Sequence, residues 1–151
     1  MHKLLPRDIL LLAVLGFMLF AARANAQLQV VELSAGRHRL EAEVAHTPKT
    51  IQNGLMHRRS LPEHRGMIFV YAKDALHCMW MWNTFIPLSV AFLDAEGRIL
   101  NIEDMVPQTL DIHCAASPAR FVLEMNRGWF ADRGISPGMR ISGIDRLPAG
   151  L

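Results

Sequence analysis

Short stretches with the residue pattern of β-strands recur along the chain from residue 27 onward, separated by turn residues. Leu40, Ala42 and Val44 alternate with charged residues, the period-two pattern of a half-buried strand. Continuous apolar runs elsewhere, bounded by Gly, Pro and Asp, are typical of buried strands. Eight short strands favour a mainly β fold, a compact β sandwich or barrel. The predicted strands cover residues 28–33, 39–45, 67–71, 76–81, 88–93, 98–105, 120–125 and 139–144.

Helix content is predicted to be small. Thr47 can cap a helix, and Pro48 suits the first helical position. Gly54 then limits the length of that helix. One more helical turn is predicted over residues 128–133, so we expect one or two short helices in total.

The first 26 residues have the layout of a secretory signal rather than of a folded element. A basic start that includes Lys3 and Arg7 precedes an apolar run over residues 9–22, which is shorter than the roughly 20 residues of a membrane-spanning helix. Ala24-Asn25-Ala26 supplies the small residues of a cleavage site. We therefore expect cleavage between Ala26 and Gln27, export to the periplasm or medium, and no stable membrane anchor afterwards. Residues 27–151 would form one domain; an uncleaved anchor is the alternative.

The charge balance argues against a nucleic acid as partner. The chain has 16 basic and 14 acidic residues, and the first 26 residues hold three of the basic and one of the acidic ones, which leaves 13 of each. Contacts to phosphate dominate nucleic-acid binding, and residues 27–151 have no basic cluster beyond Arg58-Arg59.

Residues 54–93 carry a dense set of sequence features. They include Gly-Leu-Met at position 54, Leu-Pro at 61, Gly-Met-Ile-Phe at 66, Trp-Met-Trp-Asn-Thr at 80 and Pro-Leu-Ser at 87. From about Thr47 to Gly138, the sequence resembles the bacterial and archaeal family of domain of unknown function 192 (DUF192). The resemblance implies a compact β sandwich and does not imply a reaction.

Two departures from the family pattern remove charge. Trp82 stands where the pattern has Lys, and Ser89 stands where it has Asp. If the Lys and Asp serve an activity in relatives, this chain has lost that activity or changed its ligand. If they pair with each other, the two substitutions are one coupled surface change.

The segment 79–84 is the first candidate site. Alternation places Trp80 and Trp82 on one side, and an exposed Trp often marks a binding surface. The alternative is that Trp80 lies in the core while Trp82 covers an edge. Asn83 and Thr84 either belong to the site or form a turn held by side-chain hydrogen bonds to the backbone.

Glu124 is a carboxylate within an apolar strand, and it matches a Leu-Glu of the family pattern. A buried carboxylate requires a partner, and Arg58 is the candidate. The pair would be a salt bridge at the edge of the core. Alternatively, Glu124 is a pocket acid with a raised pKa.

Cys78 and Cys114 are the only cysteines. In an oxidising compartment an even pair predicts a disulfide, worth about 4 kcal/mol for a loop of this length. Because His77 and His113 precede the two cysteines, a redox thiol pair and a copper or zinc site are the alternatives. Neighbouring residues of a strand point to opposite faces, which disfavours the metal set.

We therefore expect an exported ligand-binding or accessory module without a cofactor, whose partner is a small molecule or an envelope protein. The sequence does not predict its oligomeric state. Familiar catalytic motifs are missing from the sequence. The alternatives are an enzyme that uses Glu124, Asn83 and Arg58, and metal handling through His77, Cys78, His113 and Cys114. The candidate ligand-binding residues are Trp80, Trp82, Asn83, Thr84, Arg58 and Glu124.

Overall fold

The computed structural model describes residues 27–151, which form nine strands, one α-helix and two 3₁₀ turns. The predicted signal peptide lies outside the described residues. The α-helix, α1, is Pro48–Asn53, and the 3₁₀ turns are Ala131–Arg133 and Ile144–Arg146. The strands are β1 Val30–Ala35, β2 His38–Ala45, β3 Arg65–Ala75, β4 Cys78–Met79, β5 Leu88–Leu93, β6 Ile99–Met105, β7 His113–Cys114, β8 Ala119–Asn126 and β9 Ile141–Ser142.

Seven strands form one curled sheet in the order β6-β5-β8-β3-β2-β1-β9, while β4 and β7 form a separate two-stranded ribbon. Neighbouring strands are antiparallel except β2 and β3, which are parallel. The sheet nearly closes on itself, because the Ile99 amide donates to the Met139 carbonyl at 2.8 Å and the Ile141 amide donates to the Gly97 carbonyl at 2.9 Å. The result is a half-barrel, which confirms the mainly β prediction.

The sheet has an apolar core on each face, because side chains alternate along its strands. In β3, Ile68 and Val70 belong to the cluster inside the curl. Met67 and Phe69 belong to the cluster on the opposite, outer face. The segments around α1 and the β4–β7 ribbon cover this outer face, and it is there that the candidate site lies.

The start of α1 agrees with the sequence. Thr47 accepts a hydrogen bond from the Thr50 amide, the Thr50 side chain accepts one from the Thr47 amide, and Pro48 occupies the first turn. The helix ends before Gly54, which has a φ of +46°. Within residues 27–151 no helix is long and apolar enough to cross a membrane.

The sequence prediction was wrong for two strands and missed a third. The predicted strand over 76–81 shrinks to Cys78–Met79, because its only partner in the described chain is another two-residue strand and Leu76 is 62% exposed. That partner, β7, lies within the predicted loop after Pro107. The last strand is two residues rather than six, while β3 continues to Ala75.

Candidate functional site

A cleft of about 600 Å³ opens on the outer face of the sheet. Phe69 and Tyr71 of β3 and Glu124 of β8 lie along it. One wall is formed by residues 51–56, at the end of α1 and in the turns that follow. Residues of the segment 78–84 form the other wall. The cleft is thus lined by residues from both ends of the segment 54–93, which carries the DUF192-like features, and by central strands of the sheet.

Among the described residues, Glu124 is the only carboxylate that lines the cleft, and its residue is 4% exposed. It sits in the centre of the sheet, opposite Met67 of β3 and Val90 of β5, and it shares the outer face with these apolar side chains. Within residues 27–151 its carboxyl makes no hydrogen bond or salt bridge. Loss of solvation raises the pKa of Glu124 to about 8, because the apolar surroundings disfavour the charged form.

The predicted pair between Arg58 and Glu124 is wrong. Arg58 donates two hydrogen bonds to the Glu43 carboxylate, at 2.9 and 2.6 Å. Glu43 lies beside Met67, which lies beside Glu124, so the two carboxylates share a face and are separated by two strand spacings, about 10 Å. Arg58 thus binds Glu43 and not Glu124, and it does not line the cleft.

Trp80 and Trp82 are 49% and 47% exposed, and both line the cleft. Their ring centroids lie 6.4 Å apart with the ring planes tilted by 30°. Met81, between them, is fully buried, so the two Trp side chains share a side as predicted. The alternative with Trp80 in the core is wrong. The two indoles form a half-exposed aromatic wall.

Asn83 and Thr84 form the turn that ends this wall. Asn83 has a φ of +52°, the Thr84 amide donates to the Met81 carbonyl at 3.0 Å, and the Thr84 hydroxyl donates to the Trp82 carbonyl at 3.2 Å. Thr84 is 5% exposed and lines the cleft, whereas Asn83 does not line it. The hypothetical catalytic set of Glu124, Asn83 and Arg58 is therefore not brought together, since Glu124 alone of the three reaches the cleft.

Tyr71 is a cleft residue that the sequence analysis missed. Its hydroxyl donates to the Met79 sulfur at 3.8 Å, and its ring stacks on His77 with the centroids 3.5 Å apart. Burial first, and the nearby Glu124 carboxylate second, raise the pKa of Tyr71 to about 12. The sequence signal available for Tyr71 was its alternation with Phe69 along β3. Such alternation indicates that the two side chains share a face of the strand, but it does not indicate a cleft.

Cys78 and Cys114 form the predicted disulfide and are directly opposite each other in the β4–β7 ribbon. Cys78 also lines the cleft. His77 stacks on Tyr71, whereas His113 contacts Glu103 through Nδ1 at 2.7 Å. The four residues therefore do not form the hypothetical metal site, and no group of three or more potential ligands occurs in the described part of the chain.

The two departures from the family pattern lie on opposite faces of the sheet. Trp82 lines the outer cleft. Ser89 is buried on the inner side, where its hydroxyl donates to the Asp104 carboxylate and accepts from the Gly128 amide at 2.8 Å. Positions 82 and 89 therefore do not face each other. This argues against the interpretation that the two substitutions are one coupled surface change.

Comparison with solved structures defines the class of protein. A protein of unknown function from Novosphingobium aromaticivorans DSM 12444 is 35% identical, with a TM-score of 0.73 over 81% of this chain and 91% of that chain. A protein from Sinorhizobium meliloti 1021, provisionally described as a transcription regulator, is also 35% identical, with a TM-score of 0.70 over 75% of this chain and 91% of that one. The fold is shared with these proteins.

The DUF192 family model, described as "Uncharacterized ACR", matches residues 30–143. This chain therefore belongs to the DUF192 family, as its signature residues indicated. No curated protein matches the sequence.

Proposed function

We propose that this protein is an exported binding module that holds a small ligand in the cleft over Glu124. One observation supports this most strongly: the carboxyl of Glu124, whose residue is 4% exposed, has no partner in the described chain and faces a cleft walled by two half-exposed indoles. Clefts of about 300–1,000 Å³ with apolar walls and a few polar groups are typical of small-molecule sites.

The cleft favours binding over catalysis. Its polar side chains include Glu124, Tyr71 and Thr84, but the hydroxyls of Tyr71 and Thr84 already donate to Met79 and Trp82. Tyr71 is the other ionisable side chain in the described lining, but its pKa of about 12 and its hydrogen bond to Met79 make it a poor partner for a proton-transfer step. Recognition through the indole faces and one carboxyl needs no such partner.

The experiment is a thermal-shift screen of small molecules on the protein from residue 27, followed by calorimetric titration of each hit. Trp82→Ala should abolish binding of a genuine ligand at an unchanged melting temperature, since Trp82 is half exposed. Phe85→Ala is the matched control, because Phe85 is 43% exposed and does not line the cleft. Hits whose affinity survives Trp82→Ala and Glu124→Gln alike would contradict the proposal.

Export has its own test. Expression with the complete leader in an exporting host, followed by intact-mass analysis, should give a chain that begins at Gln27 and is two hydrogens lighter than the reduced form. A periplasmic fraction that contains only the uncleaved chain, or a protein confined to the cytoplasm, would refute this part of the proposal.

A further inference from the structure

We propose that the ligand of this cleft is an organic cation, whose ammonium group sits between the indoles of Trp80 and Trp82 and the carboxylate of Glu124. This inference rests on the proposed function and adds the chemical class of the ligand. Three observations support it: the charge of the cleft lining, the arrangement of the aromatic rings and the lack of a cationic partner for Glu124 within the described chain.

The described lining of the cleft offers an acidic group and no basic one. Of the residues that the structure describes, no Lys, Arg or His lines it, and Glu124 is its one carboxylate. An anionic ligand would find no cationic side chain there, and its charge would oppose that of Glu124. A cation would instead supply the counter-charge that this buried carboxylate lacks.

The aromatic rings around the cleft suit the same ligand. Trp80, Trp82 and Tyr71 all line it, and the face of an indole is the best aromatic surface for a cation. Arg133 already lies over the ring of the third indole, Trp129, at 4.6 Å. Within residues 27–151 no such cation lies over Trp80 or Trp82, and their half-exposed rings are free to contact a ligand.

Binding of a cation should be coupled to the loss of a proton from Glu124. With a pKa of about 8, this carboxyl is mostly neutral at about pH 6 and must ionise to pair with the ligand. The other ionisable groups near it are Tyr71, with a pKa of about 12, and the Arg58–Glu43 pair beyond Met67, whose charges cancel. On the other side, beyond Val90, lies Glu103, which contacts His113. His77 lies against the ring of Tyr71 and outside the cleft lining.

The test compares choline with its neutral isostere 3,3-dimethyl-1-butanol, titrated calorimetrically from about pH 6 to about pH 8. A quaternary ammonium keeps its charge over this range, so only the protein titrates. We expect the choline affinity to rise by up to about fiftyfold from pH 6 to pH 8, in proportion to the ionised fraction of Glu124, and the isostere to bind at least about tenfold more weakly at pH 8. Trp82→Ala should abolish choline binding, and Glu124→Gln should weaken it and remove the pH dependence.

Each outcome decides between the inference and the proposed function. Equal affinity for the isostere, an affinity for choline that does not change with pH, or no binding of choline at pH 8 would overturn the inference. If the screen nevertheless yields neutral ligands that need Trp82, the binding module stands and only the cationic class is wrong. If Phe85→Ala reduces choline binding as strongly as Trp82→Ala does, the cation lies outside the cleft and the inference fails.

Discussion

Replacing Glu124 by Gln should change how the stability of this protein depends on pH. In the folded chain the pKa of Glu124 is about 8, against an ordinary value of 4.5. Between these values the unfolded chain releases the proton while the folded chain retains it. The folded state thus binds more protons, and the free energy of unfolding falls as pH rises through this window. Each unit of pKa difference corresponds to about 1.4 kcal/mol, so the full loss above pH 8 is about 5 kcal/mol.

The amide introduced by Glu124→Gln is neutral at every pH, and the variant should escape this loss. Relative to the native chain, it should gain about 3 to 4 kcal/mol between pH 5 and pH 8. The amide's own unmet hydrogen bonds add a constant offset that does not depend on pH. The variant is thus expected to become relatively more stable toward alkaline pH, whatever its stability at pH 5.

Urea unfolding, followed by Trp fluorescence at pH 5, 6, 7 and 8, measures the free energy of unfolding of the native protein and of the Glu124→Gln variant. Comparing the two removes the contributions of all other titrating groups, which they share. Glu96→Gln is the control, because it makes the same chemical change at an exposed position. A difference between Glu124→Gln and the native chain that stays constant from pH 5 to pH 8 would refute the reasoning, since Glu124 would then titrate with an ordinary pKa in the fold.

Three further variants test the packing around the site. Arg58→Ala should lower the free energy of unfolding by about 1 to 2 kcal/mol, because it leaves the mostly buried Glu43 carboxylate unpaired. The pH-dependent contribution of Glu124 to stability should remain. Loss of that contribution in urea titrations would mean that Arg58 acts on Glu124. Reduction of the Cys78–Cys114 disulfide should destabilise the chain by up to about 4 kcal/mol and weaken ligand binding, because the disulfide holds one wall of the cleft. An unfolding midpoint in urea that dithiothreitol leaves unchanged would contradict this. Gly66→Ala should cost about 3 kcal/mol or more, since the new Cβ would clash with the Glu124 carbonyl oxygen and the Met125 sulfur. Gly36→Ala, which has open space around it, should cost about 1 kcal/mol. Equal urea midpoints for the two variants would show that the sheet relaxes freely at Gly66.

The fold was predictable where the signal is local. Alternation from Leu40 to Val44 marks one side of β2, and Thr47-Pro48 marks the start of α1, because both patterns follow from backbone geometry within a few residues. The disulfide also followed from the sequence, because only two cysteines can pair. The ribbon that contains it was missed, since two-residue strands carry no periodicity and exist only where the chain meets itself.

The candidate site was predictable in its parts but not in its pairing. Both Trp residues, Thr84 and Glu124 do line one cleft, yet Arg58 was assigned to the wrong carboxylate. Glu43 looks like a solvent-facing residue in its own strand. Only the parallel register of β2 and β3 places it on the same face as Glu124, two strands away, and such register is not readable from a single strand.

A basic side chain at position 82 is expected to give the Glu124 carboxyl a partner inside the described chain. The resemblance described in the sequence analysis implies a Lys at this position in relatives, and position 82 lines the same cleft as Glu124. Trp82→Lys should therefore provide an internal cation, which lowers the pKa of Glu124 by about 1 to 3 units and flattens the pH dependence of stability. The same ammonium would occupy the cleft and abolish binding of choline. Phe85→Lys, which adds the same charge outside the cleft, should do neither. If Trp82→Lys leaves the titration of Glu124 unchanged, the side chain at position 82 does not reach the carboxyl, and a cation held by these indoles would not reach it either.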